Sequence, residues 1–83
     1  VLDMSAYNLN KQADRDRLRA ERQAELAAIA AGTWPRDLDD VHRWDACQGI
    51  ASGLRPAQWA KRMCESQIQD LDIRDRGASE IVG

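Results

Sequence analysis

The stretch that decides the fold is KQADRDRLRAERQAELAAIAAG, residues 11–32. Its alanine, leucine, arginine and glutamate residues favour helix, and no proline interrupts them. Asn8 or Asn10 is able to cap the start through its side-chain oxygen, and Gly32 favours an end because glycine adopts the left-handed cap conformation without cost. We therefore predict a helix from about Lys11 to Ala31, roughly 30 Å long at ~1.5 Å per residue.

The predicted first helix carries two faces of apolar or small side chains. At about 100° per residue, Leu18, Leu26 and Ile29 gather on the side expected to face the core. Small residues gather on nearly the opposite side, at Ala13, Ala20, Ala24, Ala27 and Ala31. One interpretation is that alanine is simply a good helix former. The other, which we adopt as a hypothesis, is that this stripe is the interface of a homodimer.

Charged residues fill the N-terminal half of the same helix, namely Asp14, Arg15, Asp16, Arg17, Arg19, Glu21 and Arg22. Asp14 and Arg17 are three residues apart, as are Asp16 and Arg19, and oppositely charged side chains at that spacing support a helix from its solvent side. We therefore interpret the arginines of this segment as a solvated face.

A second helix is predicted after the segment that contains Trp34 and Pro35. Proline disfavours helix in the residue before it, and Asp37 is then placed to cap the new helix. The helix is expected to run to about Ala51, with Gly53 after it. Its inward face is predicted to be Val41, Trp44, Cys47, Gln48 and Ala51.

A third helix is predicted to begin at Pro56, because the missing N–H of proline costs nothing in the first turn. We expect it to run to about Asp75 and to be stopped by Gly77. Its apolar face is predicted to comprise Ala57, Ala60, Met63, Cys64, Gln67, Ile68 and Leu71, with Lys61, Arg62, Glu65, Gln69 and Asp72 on the other side.

Together these patterns predict an all-α fold: a small three-helix domain whose long N-terminal helix precedes a helix-turn-helix-like pair. We expect residues 1–9 to be an extension, with 1–3 as a cloning scar before Met4. We expect residues 10–76 to form the single domain and residues 77–83 a flexible tail. The chain has 83 residues, 43% of them apolar and 31% charged, as in folded soluble domains. We expect a cytoplasmic location and no membrane association, since no apolar run approaches ~20 residues.

Few residues here are suited to catalysis or metal binding. His42 is the single histidine, and Cys47 and Cys64 are the only cysteines. His42 and Cys47 point to different helix faces, so they do not make a nucleophile pair. The nearby aspartates are explained by capping, and each cysteine by a small buried hydrophobe. We expect no catalytic residue, no metal site and no cofactor, and hence a protein that is not an enzyme.

Tryptophan and arginine are the residue types that dominate protein interfaces. On that ground we predict a partner-binding set consisting of Trp34, Arg36, Arg55, Trp59 and Arg62. For the tryptophans themselves, the simpler interpretation, which we prefer, is that all three, Trp44 included, seal a small core. The resulting hypothesis is a small regulator or inhibitor that binds a larger protein, in the style of bacterial or phage accessory proteins.

The alternative hypothesis is a helix-turn-helix DNA-binding regulator. Gly53 opens a short turn, and Gly49 supplies the small residue four positions before it. Exposed groups for DNA would then be Arg55, Gln58, Lys61 and Arg62. Against this, the net charge is −2 and acidic residues follow on the same helix, at Glu65, Asp70 and Asp72. Nucleic acid is therefore the less favoured partner.

Overall fold

The computed structural model describes the backbone of residues 7–82 and the side chains of residues 7–45 and 47–77. Four α-helices occupy this part of the chain: α1 Gln12–Ala31, α2 Leu38–Arg43, α3 Ala46–Ala51 and α4 Pro56–Val82. Within residues 7–82 no strand is present, so the all-α class and the long first helix are confirmed. The prediction for residues 1–3 lies outside the described residues.

The two long helices α1 and α4 pack antiparallel. Arg15, near the start of α1, pairs with Asp75 in the later part of α4. Ile29, near the end of α1, packs on a buried cluster that contains Ala60, close to the start of α4. The buried apolar residues of the described chain are Leu18, Ala28, Trp44, Ala60, Cys64 and Leu71. The expected apolar faces of α1 and α4 therefore meet in one core.

The predicted caps are present at the end of α1 and the start of α2, but not at the start of α1. Gly32 has φ 78° and its N–H bonds the carbonyls of the preceding turn, as a left-handed cap should. Asp37 accepts from the backbone N–H of Asp40 at 3.1 Å and caps α2. The prediction for α1 is wrong, because Lys11 occupies the cap position without a side-chain cap bond. The Asn8 side chain instead accepts from the backbone of Asn10.

The prediction of one continuous second helix is wrong. The chain breaks at Asp45, whose φ of 48° lies in the left-handed region, and α3 begins afterwards. The break lets Trp44 enter the core while it turns the later positions outward. Contrary to expectation, Cys47, Gln48 and Ala51 are exposed. Asparagine and aspartate tolerate this conformation better than most residues, which is the local reason that the break falls there.

The residue of α3 that faces α4 is a glycine rather than an apolar side chain. A Cβ added at Gly49 would lie 2.5 Å from the Cβ of Trp59. Only a residue without a side chain allows α3 and α4 to approach so closely. The glycine expected from the helix-turn-helix pattern is therefore used for helix packing.

Helix α4 does not stop at Gly77 but continues to Val82. The segment expected to be a flexible tail is thus helical in its backbone up to that residue. A glycine inside a helix costs only about 1 kcal/mol relative to alanine, which a long packed helix tolerates.

Within residues 7–82, no helix combines the length and the apolar character that crossing a membrane requires.

Candidate functional site

A buried carboxylate on α1, Glu25, organises the part of the molecule where α1 meets α2. Its side chain is completely enclosed. Oε1 accepts from Nη1 of Arg22 at 2.8 Å and from Nη1 of Arg43 at 3.1 Å. Oε2 accepts from the indole N–H groups of Trp34 at 3.0 Å and of Trp44 at 2.7 Å. Four donors therefore saturate this carboxylate and compensate its removal from water.

A second buried carboxylate, Asp40 of α2, lies beside the first. Oδ1 accepts from Arg36 Nη2 at 3.0 Å and from Arg43 Nη1 at 2.9 Å. Oδ2 accepts from Nε of Arg36 at 2.9 Å and from its backbone N–H at 2.8 Å. Hydrogen bonds from Arg36 hold the pKa of Asp40 well below its usual range, against the opposing effect of burial. Arg43 bridges Glu25 and Asp40 through one nitrogen.

The guanidinium groups around these carboxylates line an open cavity of about 360 Å³, which we call the arginine cavity. Its lining residues are Glu21, Arg22, Ala24, Arg36, Asp37, Asp40 and Arg43. Arg22 lies over the Trp44 ring at 5.5 Å, a cation–π distance. The Arg22 side chain is only 6% exposed, whereas those of Arg36 and Arg43 are 41% and 23% exposed. The cavity therefore presents arginines that the protein itself holds in place.

Two acidic side chains stand at the rim of the arginine cavity. Glu21 accepts from the Tyr7 hydroxyl and lies 3.5 Å from Nη2 of Arg22. Asp37 is exposed and uses one oxygen to cap α2. The rim thus carries negative charge that offsets part of the positive charge inside.

The predicted partner-binding residues do not form one site. Trp34 and Arg36 belong to the cluster around Glu25 and Asp40. Trp59 is half-buried and donates its indole N–H to the Trp44 carbonyl at 2.9 Å. Arg55 and Arg62 are exposed around the start of α4.

A second, shallower cavity lies along the start of α4. It has about 300 Å³ and is lined by Leu54, Gln58, Lys61, Arg62 and Glu65. None of these residues lines the arginine cavity, so the predicted set is divided between two surfaces. Every tryptophan indole N–H is occupied inside the protein, which favours the core interpretation of the tryptophans.

The interpretation of all N-terminal arginines as solvated is wrong for Arg15 and Arg22, which are buried. The predicted helix-surface pairs do form, with Arg17 at 3.5 Å from Asp14 and Arg19 at 3.1 Å from Asp16. The sequence does contain a signal for the buried cluster. Positions 15, 18, 22 and 25 follow the three-and-four spacing of one helix face. Because Arg15, Arg22 and Glu25 are charged, an analysis that counted only apolar residues did not assign them to the buried face.

The alanine stripe of α1 is exposed at every predicted position: Ala13, Ala20, Ala24, Ala27 and Ala31. Ala24 also lines the arginine cavity. Leu38, which follows the cavity residue Asp37, is 74% exposed and is the most exposed of the large apolar side chains described. Two exposed apolar residues therefore belong to this region: Ala24 in the cavity lining and Leu38 next to it in sequence.

The residues considered for chemistry differ in their exposure. His42 and Cys47 are exposed, and Cys64 is buried. Burial, reinforced by the charge of Glu25, raises the pKa of the Cys64 thiol to about 12, so the nucleophilic thiolate is strongly disfavoured. Among the described side chains, no group of three or more His, Cys, Asp or Glu is arranged to hold a metal ion. Cys47 was expected to be buried on the inward face of its helix. That prediction is wrong, because the chain breaks before α3 and Cys47 is exposed.

The cluster at α1 and α2 is thus suited to recognition by hydrogen bonds and charge. Comparison of the chain with protein-family models, with curated proteins and with solved structures found no significant match. The geometry described above is therefore the basis for a functional proposal.

Proposed function

We propose that this protein is a non-enzymatic binding module that docks on a larger protein and thereby regulates or inhibits it. The observation that carries the proposal is the arginine cavity, with its prearranged guanidinium groups and the exposed apolar side chain of Leu38 next to it in sequence. Arg22, Arg36 and Arg43 are held by Glu25 and Asp40 before any partner arrives. Side chains that are already ordered lose less entropy on binding, so each contact contributes more affinity.

The composition of this surface is typical of the centre of protein interfaces. Arginine is enriched there, and apolar groups supply the area that excludes water. Leu38 offers an exposed apolar side chain directly after a residue of the cavity. We therefore assign the docking face to α1 and the start of α2.

The proposal is tested by substitution of Leu38 and by capture of partners on the immobilised protein. Leu38→Asp removes the exposed apolar group, and an acidic residue in the first turn of a helix does not destabilise it. We expect this variant to lose the partner that the unmodified protein captures, as measured by quantitative mass spectrometry and then by binding of the purified partner. Ile73→Asp is the matched control, because Ile73 is 52% exposed on α4. Equal capture by both variants contradicts the proposed face.

The same proposal includes self-association through the alanine stripe. Ala20 and Ala27 are seven residues apart and lie on the exposed side of α1. Ala20→Glu combined with Ala27→Glu places two carboxylates in the middle of that surface. We expect a dimer mass for the unmodified protein and a monomer mass for the variant in light scattering. Lys61→Glu is the control, because Lys61 is also exposed but lies on α4, and this variant should remain a dimer. A monomer mass for the unmodified protein contradicts this part.

DNA binding is the second candidate, favoured by one observation. Gly49 packs α3 tightly onto Trp59 of α4, and basic side chains are exposed beyond the turn, at Arg55, Lys61 and Arg62. Glu65 lines the same surface and opposes binding to phosphates. A salt-sensitive shift of duplex DNA that Lys61→Glu abolishes would favour this candidate over the protein-binding one.

A further inference from the structure

We infer that the arginine cavity receives a carboxylate, supplied by an aspartate or glutamate side chain of the partner protein. The inference rests on the proposed function and names the chemical group that the docking face recognises. It follows from which hydrogen-bonding groups of the cavity are already used and which remain.

The acceptors inside the cluster are used up. Each oxygen of Glu25 accepts two hydrogen bonds, and so does each oxygen of Asp40. A carboxylate of this kind offers about four lone-pair positions. A ligand that brings further donors would therefore find no free acceptor on either buried carboxylate.

Donors, in contrast, remain in excess. Arginine carries five N–H groups. Arg43 uses only Nη1, and Arg36 uses Nε and Nη2, in their bonds to other described residues. Nε of Arg22 is buried and has no hydrogen-bond partner among those residues. The remaining N–H groups of Arg36 and Arg43, whose side chains are 41% and 23% exposed, are therefore available to an acceptor that enters the cavity.

Charge decides between classes of anion. Three arginines line the cavity, and Asp40, Glu21 and Asp37 line it as well. This lining is formally neutral, and Glu25 lies behind it. With Glu25 counted, acidic side chains outnumber the arginines by one, so a doubly charged phosphate is repelled more than a singly charged carboxylate. The two oxygens of a carboxylate also match the planar guanidinium fork. The cavity is therefore better suited to a carboxylate.

The space is adequate for a side chain. A volume of about 360 Å³ is at the lower end of the range for ligand pockets. Ala24 contributes only a methyl group to its wall. The most exposed donors belong to Arg36 and Arg43, so an acidic side chain would reach these first.

The experiment is an NMR titration of the purified protein with sodium acetate, read at the arginine Nε–H signals at constant ionic strength. We expect saturable shifts confined to the cavity arginines, and weaker shifts with phosphate. Ala24→Leu fills the cavity without touching an ion pair and should abolish the response. Ala13→Leu, on the same exposed stripe, is the matched control and should retain it. Equal responses in the two variants overturn the inference.

A second variant tests the sign of the charge. Glu21→Gln removes one rim carboxylate and should tighten acetate binding about 2- to 5-fold, the effect of one screened charge. Weaker acetate binding in this variant, or saturable binding of methylammonium instead, overturns the inference.

If acetate fails to bind while Leu38→Asp still abolishes partner capture, the carboxylate is wrong and the docking face stands. If acetate binds but Leu38→Asp changes no capture, the docking face is wrong and the anion site stands.

Discussion

Glu25 is the residue on which most of the polar interior depends. It lies on the inward face of α1 and joins two arginines and two tryptophans from different parts of the chain. Removal of one partner from a buried ion pair leaves an uncompensated charge, which is more costly than the pair is stabilising. A charged side chain therefore determines how the segment after α1 packs.

We expect Glu25→Gln to destabilise the protein by about 3–5 kcal/mol, because the amide group turns a donor toward donors and removes the buried charge that Arg22 and Arg43 share. The free energy of unfolding in urea, followed by circular dichroism, measures this loss. Glu65→Gln is the control, since Glu65 is exposed on α4 and should change stability by less than about 0.5 kcal/mol. A loss for Glu25→Gln as small as that of the control would show that the buried network contributes little.

Asp40 predicts how stability depends on pH. Its pKa in the folded protein lies below that of the unfolded chain, because Arg36 and Arg43 favour the charged form. Its contribution is therefore complete above a pH of about 4 and is lost as the pH falls below that value. We expect Asp40→Asn to be much less stable than the unmodified protein at neutral pH. That difference should shrink near pH 3, as measured by urea unfolding at both pH values.

The neighbouring substitution Asp39→Asn is the control for this titration, because Asp39 is exposed in the same turn. It should change the unfolding free energy little at either pH. A constant difference between Asp40→Asn and the unmodified protein across the pH range would contradict the assignment.

At the scale of helices, sequence patterns located the long elements and their apolar faces. Strong helix formers end at Gly32, and α1 ends where expected. Pro56 begins α4, as its missing N–H predicts. The break at Asp45 was not predictable in this way, because apolar periodicity already places Trp44 on the inward face of one continuous helix. The left-handed conformation of Asp45 interrupts that pattern.

The candidate site was only partly predictable for a related reason. Trp34 and Arg36 were identified because their residue types are common in interfaces. Glu25 and Asp40 were missed because the analysis of helix faces counted only apolar residues; the spacing shows that Glu25 shares a face with Leu18, but not which donors compensate its charge. Those donors are contributed by three separate segments of the chain, including Arg22 and Arg43.

Two glycines within helices should respond oppositely to the same substitution. Gly49→Ala brings a Cβ to 2.5 Å from the Trp59 Cβ, so α3 must move away from α4, at a cost of about 1–3 kcal/mol. Gly77→Ala in α4 meets nothing within 4 Å and should stabilise by about 0.5–1 kcal/mol. Thermal unfolding of both variants measures the contrast. Stabilisation by Gly49→Ala would contradict the close packing of α3 on α4.

At the scale of the whole molecule, two ion-pair groups join α1 to the rest of the chain. The network around Glu25 is near one end of the pair of long helices. Near the other end, Arg15 and Arg19 bind Asp75 and lower its pKa. Leu18 of α1 and Leu71 of α4 are both fully buried. A small core is thus closed at both ends by polar contacts.

The two cysteines should report on opening of this core. Cys47 is exposed, whereas Cys64 is buried with a pKa of about 12, so that only ~1 in 10,000 of its thiols is ionised at pH 8. We expect Ellman's reagent to label one thiol rapidly in the native protein and the second only as urea unfolds it. Cys47→Ser should remove the rapid phase. Two equally rapid reactions would contradict the burial of Cys64.

The position of the indoles has a consequence for spectroscopy. Trp34 and Trp44 both contact Glu25, and Trp59 contacts the Trp44 carbonyl, so every tryptophan of the chain emits from the same neighbourhood. Tryptophan fluorescence therefore does not change when α1 and α4 separate at the end that contains the Arg15–Asp75 pair. Far-ultraviolet ellipticity reports the loss of helix along the whole length of both. If the melting curves from the two signals coincide, the helices separate in a single cooperative step. If ellipticity changes at a lower temperature than fluorescence, unfolding begins at the end of the helix pair that contains no tryptophan.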